Sequence, residues 1–217
     1  MKKEPTPGAW RPYFAWDLLT TGLLPARWED SVQNTVEEFG FGTVLTGDGS
    51  TSRERRSGQH IPVRVVDGSA IKNSLPWLWS LYAGPLLEFS SRSFNRTLYS
   101  AVDIKSAVNI NHISGEGARY EWHVDSNPVT GLLFASTCPA EQGGALVFRD
   151  VQNKRNSVVR PRSGLFICFD ARQIPHRVAP MKGAFSRSSI PMNYYEDATN
   201  QNRPPDLESQ IYTPIQT

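Results

Sequence analysis

The stretch Tyr120-Glu121-Trp122-His123-Val124-Asp125 decides how this chain is read, and Ile174-Pro175-His176-Arg177-Val178 answers it further along. In an extended strand, residues i and i+2 share a face. His123 and Asp125 therefore aim an imidazole and a carboxylate into one space. His176, from a distant strand, would add a second imidazole. Two histidines and one carboxylate on one face of an octahedron suit iron(II) and leave positions open for other ligands. The His-x-Asp spacing alone is common, and an exposed polar strand satisfies it equally well. The segments on the C-terminal side of Asp125 separate the two readings.

Asn156 to Val159 reads as a strand, Pro161-Arg162-Ser163-Gly164 as a turn, and Leu165-Phe166-Ile167-Cys168-Phe169 as a buried strand. Beyond His176 come Arg187 and Ser189, which share a strand face. A guanidinium grips a carboxylate through two parallel hydrogen bonds, and a neighbouring hydroxyl adds a third. The chain thus offers a metal site and, close by, a seat for a carboxylate.

These segments resemble a known family. Gly117-x-x-Tyr120-x-x-His123-x-Asp125, Gly143-Gly144-Ala145-Leu146-Val147-Phe148, Val159-x-Pro161-x-x-Gly164, His176-x-Val178-x-Pro180 and Arg187-x-Ser189 occur in the order seen in iron(II)- and 2-oxoglutarate-dependent oxygenases, in particular the prolyl-hydroxylase-like branch. The resemblance spans residues 105 to 195. It implies a mainly β fold, a double-stranded β-helix (a jelly-roll, cupin-like barrel), with His123, Asp125 and His176 as metal ligands at one mouth. It implies Fe(II), with 2-oxoglutarate and O2 as cosubstrates, the 2-oxoglutarate anchored by Arg187 and Ser189. Oxidative decarboxylation to succinate and carbon dioxide would then drive oxidation of an unactivated C–H bond. Related halogenases replace the carboxylate ligand with a small residue; Asp125 is retained here, which favours hydroxylation or another oxidation without halide.

The chain departs from the branch at two positions where relatives often carry tyrosines. Here stand Ile113 and, approximately, Phe134, neither of which can hydrogen-bond the cosubstrate. Asn111, on the same strand face as Ile113, and Thr130 are the replacement candidates. On the substrate side, Arg119, Tyr120 and Asn127 flank the metal strand. His112 has the opposite parity to Asn111 and is not expected to be a ligand. Trp122 is expected to pack in the outer layer.

The chain is long enough, at 217 residues, for one domain with a sizeable core. The expected organisation is a single oxygenase domain over 1–217: helical support over 13–100, a barrel over 103–195, and an irregular tail. Sixteen glycines and sixteen prolines favour the many turns of a β core. A net charge of +2 is too small to argue for nucleic acid or an anionic membrane. No stretch reaches membrane-span length, and no apolar run succeeds Lys2 and Lys3 as a signal peptide would require. Two cysteines make no disulfide framework, and Cys168 reads as a core residue. A reducing cytoplasm is therefore expected.

A first helix is expected over 25–39, stopped at Gly40, and one or two more over 69–91 with a break at Pro85. Strands are expected over 41–45, 61–66 and 103–113 before the metal strand, then over 129–136, 145–148, 156–159, 165–169 and 186–195. Residues 46–59 are polar and carry Arg53, Arg55 and Arg56; they read either as a solvated loop or as a segment that closes over substrate. The expected substrate is a small molecule, such as an amino acid or a biosynthetic intermediate. Peptidyl hydroxylation, and a barrel that binds without turnover, are the alternatives.

Overall fold

A computed structural model describes residues 10–42, 63–199 and 201. In chain order the elements are β1 (Phe14–Asp17), α1 (Trp28–Phe39), β2 (Phe41–Gly42), β3 (Val63–Val66), α2 (Gly68–Ser74), α3 (Pro76–Leu81), α4 (Leu87–Phe94), β4 (Tyr99–Ser100), α5 (Ile104–Ala107), β5 (Ile110–Ser114), β6 (Tyr120–His123), β7 (Val129–Phe134), β8 (Leu146–Asp150), β9 (Arg155–Val159), β10 (Leu165–Asp170), β11 (His176–Val178) and β12 (Ser186–Tyr195). The larger sheet runs β1-β10-β7-β12-β5-β3-β2, with β4 also on β12. The smaller runs β6-β11-β8-β9. Every pairing between these strands is antiparallel, as the jelly-roll expectation requires.

Period-two alternation sorts each strand of the large sheet into two faces. On β12, Ile190, Met192 and Tyr194 join Leu133 of β7 and Phe166 and Cys168 of β10 in one apolar cluster with the helices. Trp28, Val32 and Val36 of α1, Leu78 of α3 and Tyr82 supply the helical side. The opposite parity, Leu132, Phe134, Ile167 and Phe169, faces the small sheet and packs on Leu146 and Phe148. Gly131 is needed where these layers crowd: a Cβ there would lie 2.8 Å from the Phe166 ring and 3.0 Å from that of Tyr194.

The helix expected over 25–39 begins at Trp28, because Arg27 sits in the left-handed region at φ 57°. The break at Pro85 is a wide turn over Tyr82–Leu86 between α3 and α4, with Gly84 outside helical geometry. The strand expected over 103–113 is half helix. Asp103 accepts from the backbone N–H of Ser106 at 3.0 Å, which caps the short helix α5, and the strand starts only at Ile110. The strands expected over 41–45 and 61–66 are described only at Phe41–Gly42 and Val63–Val66. The 46–59 segment with Arg53, Arg55 and Arg56, and most of the tail, lie outside the described residues. No helix among the described residues is long and apolar enough to cross a membrane.

Candidate functional site

The cavity between the two sheets has a volume of about 850 Å³ including its open mouth. His123 closes β6, His176 opens β11, and the two are direct partners in the β6–β11 register. Asp125 lies past the end of β6, where its N–H donates to Ala171 O at 2.9 Å. The three side chains form a group that could hold one metal ion, with their ligand atoms within 4.8 Å of one another.

Hydrogen bonds decide which atoms face the shared space. Nδ1 of His123 lies 2.7 Å from Glu121 O, and Nδ1 of His176 lies 3.0 Å from Ile174 O. A carbonyl oxygen can only accept, so both Nδ1 atoms carry the proton and both Nε2 atoms keep a lone pair. Each Nε2 is 3.7 Å from Asp125 Oδ1. The other carboxylate oxygen, Oδ2, accepts from the Thr130 hydroxyl at 2.6 Å. Asn127 Nδ2 donates to the same hydroxyl at 2.9 Å and to Val129 O at 2.8 Å. The relay has one direction: Asn127 occupies the Thr130 lone pair, so the Thr130 proton must point at Asp125. Phe169 packs edge-on to His176, with ring centroids 4.8 Å apart, and limits its rotation. Such supports raise metal affinity by fixing ligands in advance.

Deeper in the cavity lies Arg187 of β12, only 1% exposed. One nitrogen, Nη1, donates to Ser189 Oγ at 2.7 Å, while Nε has no hydrogen-bond partner. No aspartate or glutamate among the described residues pairs with it. Burial pulls its pKa down to about 10, with smaller opposing pulls from Cys138 and Tyr120, so the guanidinium is charged at neutral pH. Its carbon lies 5.4 Å from the Phe134 ring centre. Gly144, at φ +68°, makes room for this side chain, since a Cβ there would sit 3.3 Å from Arg187 Cδ and 2.7 Å from Met181 Sδ. A buried cation is costly without an anion beside it.

Asn111 pairs with Ser189 across β5 and β12, is 6% exposed, and leaves its Oδ1 without a partner. Tyr120 is buried and lines the cavity near Arg187. Thr130 and Asn127 both line the cavity; the Thr130 hydroxyl donates to Asp125 Oδ2, and the Asn127 amide supports Thr130. Arg119 does not line the cavity: it pairs with Glu121 at 2.5 Å and donates to Gly117 O at 3.2 Å. His112 sits on the other face of β5, its Nδ1 2.9 Å from Ser188 Oγ. Trp122 lies on the outside of the small sheet between Arg149 and Arg177, 3.9 and 4.9 Å from its ring centre. Sequence reasoning missed Ser106, Asn109, Asn193 and Tyr195 of the cavity wall. The parity of β12 alone, continued past Ser189, reaches Asn193 and Tyr195.

Fold and site together define a jelly-roll protein with a two-histidine, one-carboxylate group fit for a metal and, beside it, a buried arginine bonded to Ser189. Residues 108–195, which carry all five of these side chains, match the family model of the 2OG-Fe(II) oxygenase superfamily. Over those residues the chain is similar to 2-oxoglutarate-dependent non-haem iron dioxygenases, which use Fe(II), 2-oxoglutarate and O2, and His123, Asp125 and His176 form a ligand group that fits that metal. Several solved structures share the fold. A 2OG-Fe(II) oxygenase family oxidoreductase from Burkholderia pseudomallei superposes with a TM-score of 0.65 at 14% identity, over 88% of this chain and 89% of that one. SnoN, a non-heme alpha ketoglutarate dependent epimerase from nogalamycin biosynthesis, gives 0.61 at 14%, over 85% and 78%. A prolyl hydroxylase from Trichoplax adhaerens, solved with a hypoxia inducible factor peptide fragment, gives 0.57 at 16%, over 85% and 84%. No curated protein matches the chain in sequence.

Proposed function

We propose that this oxygenase acts on a small organic molecule, with His123, Asp125 and His176 holding Fe(II) and with Arg187 and Ser189 holding the far carboxylate of 2-oxoglutarate. The observation that carries the cosubstrate assignment is Arg187 itself: a charged, buried guanidinium with no acidic partner among the described residues. The donor set fits the metal, since both Nε2 atoms and Asp125 Oδ1 converge and present lone pairs rather than protons.

When bound, iron with 2-oxoglutarate and O2 supplies the oxidising power for a C–H bond, releasing succinate and carbon dioxide. The chain supplies position. The Asn127–Thr130 relay holds one oxygen of Asp125 away from the metal position, leaving the other as ligand. The Glu121 and Ile174 carbonyls keep both imidazoles in the ligating tautomer. Asn111 and Tyr120 stand beside the Arg187 and Ser189 pair, placed to hydrogen-bond a carboxylate or ketone oxygen. Leu132, Leu146 and Val178 form apolar wall that limits water at the reacting centre.

A small substrate is supported by the lining of the cavity, which comes from both sheets and from α5. Succinate release is the test. Candidate metabolites should raise it above the level with 2-oxoglutarate alone, and His176→Ala should abolish both turnover and stoichiometric anaerobic Fe(II) binding. Full turnover in His176→Ala would remove it from the ligand set. Stimulation by peptides and by no metabolite would replace a small substrate with a peptidyl one.

A further inference from the structure

Two buried polar atoms next to Ser189 have no hydrogen-bond partner among the described residues, and they are complementary. Asn111 Oδ1 accepts from nothing, and Arg187 Nε donates to nothing. Asn111 is 6% exposed and Arg187 1%, and both side chains line the cavity. The register of β5 and β12 brings them together. Asn111 stands opposite Ser189 and Ile113 opposite Arg187, so the four side chains share a face and Asn111 is the diagonal neighbour of Arg187. A long side chain spans that diagonal. The other flank of Asn111 is apolar: its partner on β3 is Val65, which packs in one cluster with Val63, Ile113 and Met181.

A carboxylate and a ketone only accept hydrogen bonds, so 2-oxoglutarate brings no proton to Asn111 Oδ1. The nearest donors in register are Ser189 and Arg187. Ser189 Oγ accepts from Arg187 Nη1 and has one proton of its own. Giving that proton to Asn111 would leave Arg187 Nε still alone. Donation from Nε satisfies both atoms with one bond, and the charged donor makes that bond the stronger choice. We propose that Asn111 is a positioning residue for the cosubstrate: with 2-oxoglutarate bound, Asn111 Oδ1 accepts from Arg187 Nε. An amide whose oxygen is held in this way turns its Nδ2 hydrogens to the opposite side, towards the acceptor oxygens of the ligand. Arg187 keeps three N–H groups, and Ser189 its proton, for the same carboxylate. Asn111 thus has two duties, as acceptor for Arg187 and as donor to 2-oxoglutarate. This rests on the function proposed above and deepens it, fixing which atom of Asn111 faces the cosubstrate.

NMR of the arginine Nε–H groups and calorimetric titration with 2-oxoglutarate test this together, on the isotope-labelled full chain with Zn(II) in place of Fe(II) to prevent turnover. The Arg187 signal is the one missing from Arg187→Met. In the parent, saturating 2-oxoglutarate should move it downfield and slow its exchange with water. Asn111→Leu removes both duties: affinity for 2-oxoglutarate should fall roughly tenfold or more, and the slowed Nε–H should be lost. Asn111→Asp keeps the acceptor and loses the donors. Its slowed Nε–H should persist while affinity falls at least as far, because a second carboxylate then competes for Arg187. A residue that only supported the fold would not divide the two readings in this way. An Nε–H that behaves alike in the parent and in Asn111→Leu overturns the inference, as does parent-like affinity in either variant. A parent that binds 2-oxoglutarate and gives one of those results overturns this inference alone. A parent that binds none overturns the proposed function, and this inference with it.

Discussion

Replacing Arg187 with methionine separates a binding role from a structural one. Arg187 is fully buried, and burial pulls its pKa down to about 10 from the ordinary arginine value. A basic group whose native pKa lies below its unfolded value destabilises the fold at any pH below the native value. That penalty fades only as pH rises past about 10 towards the ordinary arginine range. At pH 7 it is fully present, and at about 1.36 kcal/mol per unit it is on the order of 3 kcal/mol. Methionine fills much of the same space without charge. The change also removes the hydrogen bond to Ser189, which costs about 1 kcal/mol. The ligand-free variant should therefore be more stable than the parent by about 1–2 kcal/mol, or roughly 2–8 °C in melting temperature.

2-Oxoglutarate should reverse that order. Bound to the native state alone, it stabilises the parent by about 2.7 kcal/mol at a hundred times its Kd. The variant, having lost the anchor, should gain almost nothing. Thermal melting at pH 7 in Zn(II), with and without 2-oxoglutarate, reads both effects in one experiment. Two results would refute the reasoning: a ligand-free variant that melts well below the parent, which gives Arg187 a structural partner, or equal stabilisation by 2-oxoglutarate in both proteins.

The hydrogen bonds set two further outcomes. Thr130→Val removes the proton held on Asp125 Oδ2 and should weaken metal binding roughly tenfold or more, with Thr130→Ser restoring most of it, as read by competitive metal titration. Tyr82→Phe strips the donor from Asn193 O and the acceptor from Ala101 N, and should lower stability by about 1–3 kcal/mol in urea denaturation, with metal affinity unchanged.

The parts of the site legible in the sequence were those governed by local geometry. Period-two parity placed Arg187 and Ser189 on one face, and the structure has them hydrogen-bonded there. Family spacing brought His123, Asp125 and His176 together, although Asp125 stands past the strand end rather than within it. What parity could not show is where a side chain's hydrogen goes. Thr130 and Asn127 read as wall residues facing a ligand, yet the Thr130 hydroxyl donates to the Asp125 carboxylate and the Asn127 amide donates to Thr130 and to Val129 O. Arg119 read as a cavity residue because of its nearness in sequence, but Glu121 captures it. The strand expected through Asp103 failed for a related reason: one carboxylate cap outweighed the apolar residues Ile104, Ala107 and Val108 and turned the chain into α5.

That substitution of helix for strand shapes one polar wall of the cavity, lined by Ser106, Asn109, Asn193 and Tyr195. Had residues 103–109 continued as a strand, their side chains would have alternated in and out of the sheet, and Ser106 would not have presented its carbonyl to Asn193. The helical turn lets consecutive backbone carbonyls, Lys105 O and Ser106 O, take the amides of Asn109 and Asn193. Tyr82, stacked on Tyr194 with ring centroids 5.2 Å apart, holds Asn193 O from the helical layer and receives Ala101 N–H. The apolar packing of the helices on β12 is thus coupled to the polar wall on its other face, through the backbone of a single residue. Arg187 and Ser189 lie towards one end of β12 and Asn193 and Tyr195 towards the other, so one strand carries both parts of the cavity lining.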